Sequence, residues 1–191
     1  MKNHFYENTM QAISTLFPTQ VTSLEAALEQ YAHVRTTLLQ ELATQKYTAP
    51  PEGRWSVEDI LWHLHLVERG SGSAIRRMLE GERGEKIADA DLKALWDKMY
   101  GFILNRAELK LPAPQNVSPQ ENTPSREECI TALQQSRDKV LSHLQGVSTD
   151  DLLRVYFPHP VLGSMPALYW VMFIAMHEAR HLEQLRELIA K

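Results

Sequence analysis

Only one cysteine, Cys129, stands among 191 residues, so an intramolecular disulfide is excluded and a reducing cytoplasm is the expected setting. No Lys/Arg run stands out. Twenty basic against 24 acidic side chains leave a formal net charge of -4, which argues against a nucleic-acid partner. No apolar run approaches the ~20 residues needed to span a bilayer, so a membrane segment is not expected. The longest, Met165 to Met176, runs straight into His177-Glu178-Ala179-Arg180-His181 and reads as a buried helix. Met1 to Phe17 mixes polar and apolar residues and lacks the continuous apolar core of a signal peptide. Missing too are an alternating strand pattern, an internal repeat and a low-complexity segment. What remains is 43% hydrophobic and 23% charged residues, the balance of a soluble globular chain. The length suits one domain, residues 1–191, with a sizeable core.

Almost every segment reads as helix. A short amphipathic stretch from Tyr6 to Phe17 ends at Pro18. Thr22-Ser23-Leu24-Glu25 has the form of a capping box, with Thr22 as cap, and Leu24, Leu28, Tyr31, Leu38 and Leu42 form a helical stripe to about Gln45. Pro50, Pro51 and Gly53 stop it. Ser56 caps the next helix, acidic residues fill its first turn, and Trp55 can pack on Ile60 as a hydrophobic staple. This helix runs to about Leu79. Asp91 is placed to cap a further helix through Leu92, Leu95, Trp96, Met99 and Ile103, followed by a Pro-rich link from Pro112 to Pro124. Ser125-Arg126-Glu127-Glu128 is another capping box, opening a helix through Leu133, Val140 and Leu144. An irregular stretch holding Phe157-Pro158-His159-Pro160 and Gly163 then leads to Pro166, in the first turn of a last helix that continues to Ile189. These elements predict an all-α, antiparallel four-helix bundle with an inserted helix between the second and third core helices, the insertion covering roughly 85–124.

Eight histidines make their placement worth mapping. His177 and His181 lie one turn apart on one helix face, where both imidazoles can reach a single metal ion. The string His177-Glu178-Ala179-Arg180-His181 also matches the H-E-x-x-H pattern of zinc peptidases, with Glu178 as general base. A peptidase of that type needs a third ligand well downstream, and only ten residues follow His181. The third ligand is therefore sought upstream. Ser56, Asp59, Ile60, His63, Val67, Gly70 and Ala74 share one stripe, which turns His63 inward and His65 to the opposite, solvated or interfacial side. Three imidazoles would leave one or two coordination positions open, as in catalytic zinc sites. Glu178 is either a general base at the edge of that site or an exposed charge paired with Arg180 or Arg154. Asp59 either orients His63 as an acceptor or is simply a favourable acid in a first turn. Gln184 is expected to hydrogen-bond within the bundle. Trp55, Trp62, Tyr169, Trp170 and Phe173 read as core or pocket wall. Cys129 lies at a helix start, where a thiolate is favoured.

Two blocks carry a family resemblance that covers most of the chain. One is Trp55-Ser56-Val57-Glu58-Asp59-Ile60-Leu61-Trp62-His63-Leu64. The other runs from Phe157-Pro158-His159-Pro160-Val161-Leu162-Gly163 to His177-Glu178-Ala179-Arg180-His181-Leu182-Glu183-Gln184. Together and in this order they resemble the DinB/YfiT-like superfamily of bacterial metal-binding four-helix proteins. The resemblance implies a four-helix bundle, often homodimeric, with one divalent zinc, nickel or iron ion on His63, His177 and His181. It also implies a small-molecule substrate handled by a metal-dependent hydrolase or an S-transferase using a low-molecular-weight thiol such as bacillithiol or mycothiol. The alternative is a non-catalytic metal- or small-molecule-binding bundle; a zinc peptidase comes last. The segment from Asp89 to Pro124 is longer and more helical than a minimal member would have, and could shape the pocket or a dimer contact.

Overall fold

The computed structural model describes residues 15–17, 19–105, 112–119 and 122–190, so most of the Tyr6 to Phe17 stretch and part of the 85–124 insertion lie outside it. Its elements in chain order are α1 (Leu24–Thr44), α2 (Val57–Glu80), α3 (Asp89–Leu104), a 3-10 turn (Gln115–Val117), α4 (Arg126–Leu144) and α5 (Thr149–Leu152). A hairpin of β1 (Tyr156–His159) and β2 (Gly163–Pro166) follows, and α6 (Ala167–Arg186) closes the series. The fold is the expected helical bundle, formed by α1, α2, α4 and α6, with α3 inserted between α2 and α4 and packed on α6. No helix among the described residues is long and apolar enough to cross a membrane.

Side-chain caps set several helix starts. Ser56 accepts from the Asp59 amide at 3.0 Å while the Asp59 carboxylate accepts from the Ser56 amide at 2.9 Å, and Ser125 with Glu128 repeats the arrangement at α4. At α1 the cap is Ser23, which accepts from Ala26, one residue after the expected Thr22. α3 starts two residues before Asp91, behind Ala88, with no side-chain cap hydrogen bond; Asp89 and Asp91 both sit in its first turn and face its positive end. α6 stops at Arg186 rather than continuing to Ile189, which instead forms an isolated bridge with Tyr47. The hairpin is an element that alternation could not reveal. Each strand is four residues long, Pro158 lies within the first and Pro166 ends the second, and the turn is closed by Gly163 at a φ of 84°.

α6 lies deepest in the fold. Every residue from Ala167 to Met176 is buried, and the helix packs on α1, α2 and α3. Burying each large side chain there contributes about 1.5–3 kcal/mol. α2 packs closely on α4, and Gly72 shows how closely: a Cβ added there would stand 2.8 Å from Cγ2 of Val140. The buried face of α2 runs through Ile60, Leu61, Leu64, Glu68, Ser71, Gly72, Ile75 and Met78. That face is rotated from the expected stripe, and Gly70 is exposed. His63 and His65 occupy its two edges and both are buried. His65 is therefore not solvated. Its Nδ1 lies 2.9 Å from the Ala132 carbonyl and its ring stacks on Trp62 at 4.9 Å.

Candidate metal centre

α6 presents His177 and His181 on one face, and α2 brings His63 across to them. Nε2 of His63 lies 3.3 Å from Nε2 of His177, and the three candidate ligand nitrogens all fall within 4.8 Å of one another. No cysteine or carboxylate among the described residues joins this group.

Hydrogen bonds on the far sides of two rings fix which nitrogens converge. Nδ1 of His63 stands 2.7 Å from the Val117 carbonyl oxygen, and Nδ1 of His181 stands 2.9 Å from Oε1 of Gln184. Both partners are acceptors, so each Nδ1 carries the proton and each Nε2 keeps a lone pair. Val117 belongs to the 3-10 turn of the insertion, which thus supplies the group that orients His63. Asp59 does not: its carboxylate is engaged by the Ser56 amide and by the Thr123 hydroxyl at 2.7 Å. Gln184 hydrogen-bonds as expected, and its partner is a site residue.

Aromatic rings wall the cluster. Trp55 packs on His63 at 4.8 Å and on His181 at 6.1 Å, which places it on the site rather than in a staple with Ile60 alone. Phe173 stacks on His177 at 5.6 Å. His63 and His181 are buried at 3% and 8% exposure, while His177 keeps partial access to solvent. Burial, with the neighbouring His181 and His63, holds the His177 imidazole well below the usual histidine range. Burial likewise lowers His63, against the opposing pull of its bond to Val117. Neutral imidazoles are the form that binds metal.

Glu178 occupies a different environment. It is 1% exposed, and its oxygens accept from Nε of Arg35 at 2.7 Å, from the Arg35 terminal nitrogen at 3.0 Å and from Arg137 at 2.7 Å. Arg35 also binds Glu68 at 3.0 Å, Arg137 binds it at 2.7 Å, and Ser136 donates to it at 2.8 Å. The Tyr31 hydroxyl completes the set on Glu68, with the Arg137 guanidinium over its ring at 3.3 Å. Burial by itself would raise the Glu68 carboxyl, but Arg137 and Arg35 together hold it below its ordinary value. The expected partners of Glu178 are elsewhere: Arg180 donates to the Ile103 carbonyl and Arg154 to Asp150. With guanidinium groups on both oxygens, Glu178 is poorly placed to take a proton from the histidine cluster. The sequence signal for this network was in view. Arg35 and Arg137 each fall on the apolar stripe of their own helix, Arg35 between Tyr31 and Leu38 and Arg137 between Leu133 and Val140.

Cys129 is fully buried, with its thiol directed at the Pro124 and Glu58 carbonyls. Burial, with the nearby Glu58, pushes it up to about 11, the reverse of the activation expected at a helix start. Of the other aromatics, Tyr169 is core, its hydroxyl donating to the Leu92 carbonyl of α3.

Comparison with known proteins agrees with this architecture. The chain is 28% identical over 167 residues to the uncharacterized protein YuaE of Bacillus subtilis (strain 168), covering 87% of this chain and 94% of that one. It is also similar in fold to the crystal structure of TT2238, a four-helix bundle protein. The TM-score is 0.56 at 24% identity, with 85% of this chain and 98% of that one covered. The family model of the DinB superfamily matches residues 27–185, and the chain belongs to that superfamily.

Proposed function

We propose that this protein binds one divalent cation, zinc, nickel or iron, through His63, His177 and His181, and uses it in a hydrolase or small-thiol transferase reaction. The observation that carries this reading is the convergence of three imidazole nitrogens within 4.8 Å of one another, with no cysteine or carboxylate among the described residues joining them. Two nitrogens each ~2.0–2.1 Å from a tetrahedral zinc would stand about 3.3–3.4 Å apart, and His63 and His177 are 3.3 Å apart. A cation in that position supplies Lewis acidity, lowering the pKa of a water or thiol in its open position.

The chain's own residues do the remaining work. Val117 and Gln184 hold His63 and His181 in the tautomer that presents Nε2. Trp55 packs on His63 and Phe173 on His177, so aromatic rings limit water at the cluster, and His177 is the one ligand that is not fully buried and so the one a substrate would meet first. Three protein ligands leave room for that substrate, which favours catalysis over a purely structural site.

The test is to assay zinc-, nickel- and iron-reconstituted protein on activated esters and on electrophiles with a low-molecular-weight thiol. Turnover that disappears with chelator and in His177→Ala supports the reading. Turnover indifferent to both sinks it.

A further inference from the structure

The sequence block Phe157-Pro158-His159-Pro160 has no part in the cluster above, yet the fold delivers His159 beside it. Trp170, Phe173, His177 and His181 follow at helical spacing along one stripe of α6. His159, the last residue of β1, lies against the first two, at 4.9 Å from Phe173 and 5.6 Å from Trp170. Phe173 in turn stacks on His177, the member of the triad with solvent access. His159 thus stands one aromatic ring away from His177, on the Phe173 side of the cluster, whereas Trp55 packs on His63 and His181.

Its protonation is set by the turn that follows it. The amides of Val161 and Leu162 both donate to Nδ1 of His159, each at 3.2 Å. A nitrogen accepting two N–H groups carries no proton of its own, so in the neutral ring the proton resides on Nε2. This is the opposite tautomer from His63 and His181. A ring held this way offers an N–H donor on the edge turned away from the hairpin, and is a poor metal ligand through the same atom. Lys98 adds positive charge next to it, its ammonium fixed at 3.1 Å from the Leu162 carbonyl.

We propose that His159 is a substrate-binding residue, donating its Nε2–H to an anionic oxygen, a carboxylate or phosphate, on the molecule that reaches the site past His177. This rests on the metal-site reading for the identity of the site, but the donor itself can be tested without metal.

Two measurements decide it. Long-range ¹H–¹⁵N spectra of ¹⁵N-labelled, metal-free protein at pH 8 should show His159 as the Nε2–H tautomer; the Nδ1–H tautomer would overturn the proposal. Zinc-reconstituted protein is then titrated with acetate and with inorganic phosphate, following the indole N–H resonances of Trp55 and Trp170. His159→Phe should weaken anion binding about tenfold, or ~1.4 kcal/mol. His159→Gln, which keeps an N–H donor, should stay within about threefold of wild type, and both variants should bind zinc as wild type does. Undiminished anion binding by His159→Phe overturns the proposal, as does loss of zinc in that variant, which would make His159 a ligand. If wild type takes up no zinc, the metal reading fails separately. The same anion titration on metal-free protein, with the tautomer, then decides the role of His159.

Discussion

Two buried polar clusters meet at consecutive residues of α6, His177 in one and Glu178 in the other, and they are satisfied in opposite ways. Around Glu178, two guanidinium groups face two carboxylates, and Tyr31 and Ser136 supply further donors to Glu68. Opposite charges answer each other and the set is closed. Around His177, three imidazole nitrogens converge, while the protons of His63 and His181 point outward to Val117 and Gln184, leaving their Nε2 lone pairs facing the cluster. That set lacks an opposite charge among its own members, and a cation would complete it. The difference teaches that burial of polar groups is not itself a sign of function: a closed network holds helices together, and an open one awaits a ligand. Closure also has an architectural use here. Arg35 reaches the Leu133 carbonyl and Arg137 the Tyr31 carbonyl, so the arginines bridge α1 and α4 where those helices pack less closely than α2 does on α4.

The contrast can be broken first at the closed cluster. Glu68→Ala leaves two buried guanidinium groups short of a carboxylate and should cost about 3–5 kcal/mol of stability, read by denaturant unfolding in the presence of chelator. Replacement of a triad residue should do the reverse. His63→Ala should lose more than the ~10–100-fold in metal affinity that an outer partner supplies, by competition with a chromophoric chelator, while chelated protein stays folded. Stability loss from His63→Ala equal to that of Glu68→Ala would erase the distinction. Gln184→Ala, which removes only an orienting acceptor, should weaken metal binding by about 10–100-fold with the cation still bound.

Acid should separate the two clusters by pH window. The folded His177 and His63 imidazoles are depressed, so below about pH 6.5 the unfolded chain takes up protons that the folded chain refuses. Metal-free protein should therefore lose stability as pH falls through this range, by up to ~1.4 kcal/mol per pH unit for each such histidine. Glu68 is also depressed, but its contribution is present above its ordinary carboxylate value and is lost only as pH falls below it. His177→Ala should make the upper window shallower and leave the lower one in place. A profile unchanged by that substitution would show that His177 is not held neutral by the fold.

Much of this was legible beforehand where local chemistry decides it. The capping boxes at Ser56 and Ser125 follow from short-range hydrogen bonding, and the His177/His181 pair from helical spacing alone. What the chain hid depends on tertiary partners. The buried face of α2 departs from the expected stripe because Glu68, a charge, stands at its centre, and because Gly72 is there for the close approach of Val140. His65 looked outward only on that wrong rotation. The acceptor for His63 comes from Val117, 54 residues away in a segment with no periodic pattern. The hairpin that carries His159 is too short and too rich in proline to announce itself.

The most direct test of the central claim is X-ray absorption at the metal edge of zinc-reconstituted protein, with metal content measured per chain. One zinc with three imidazole nitrogens at ~2.0–2.1 Å, lost in His63→Ala and in His177→Ala but retained in Glu178→Gln, is the predicted result. Zinc absent from wild type, or bound equally well without His63 and His177, would contradict it.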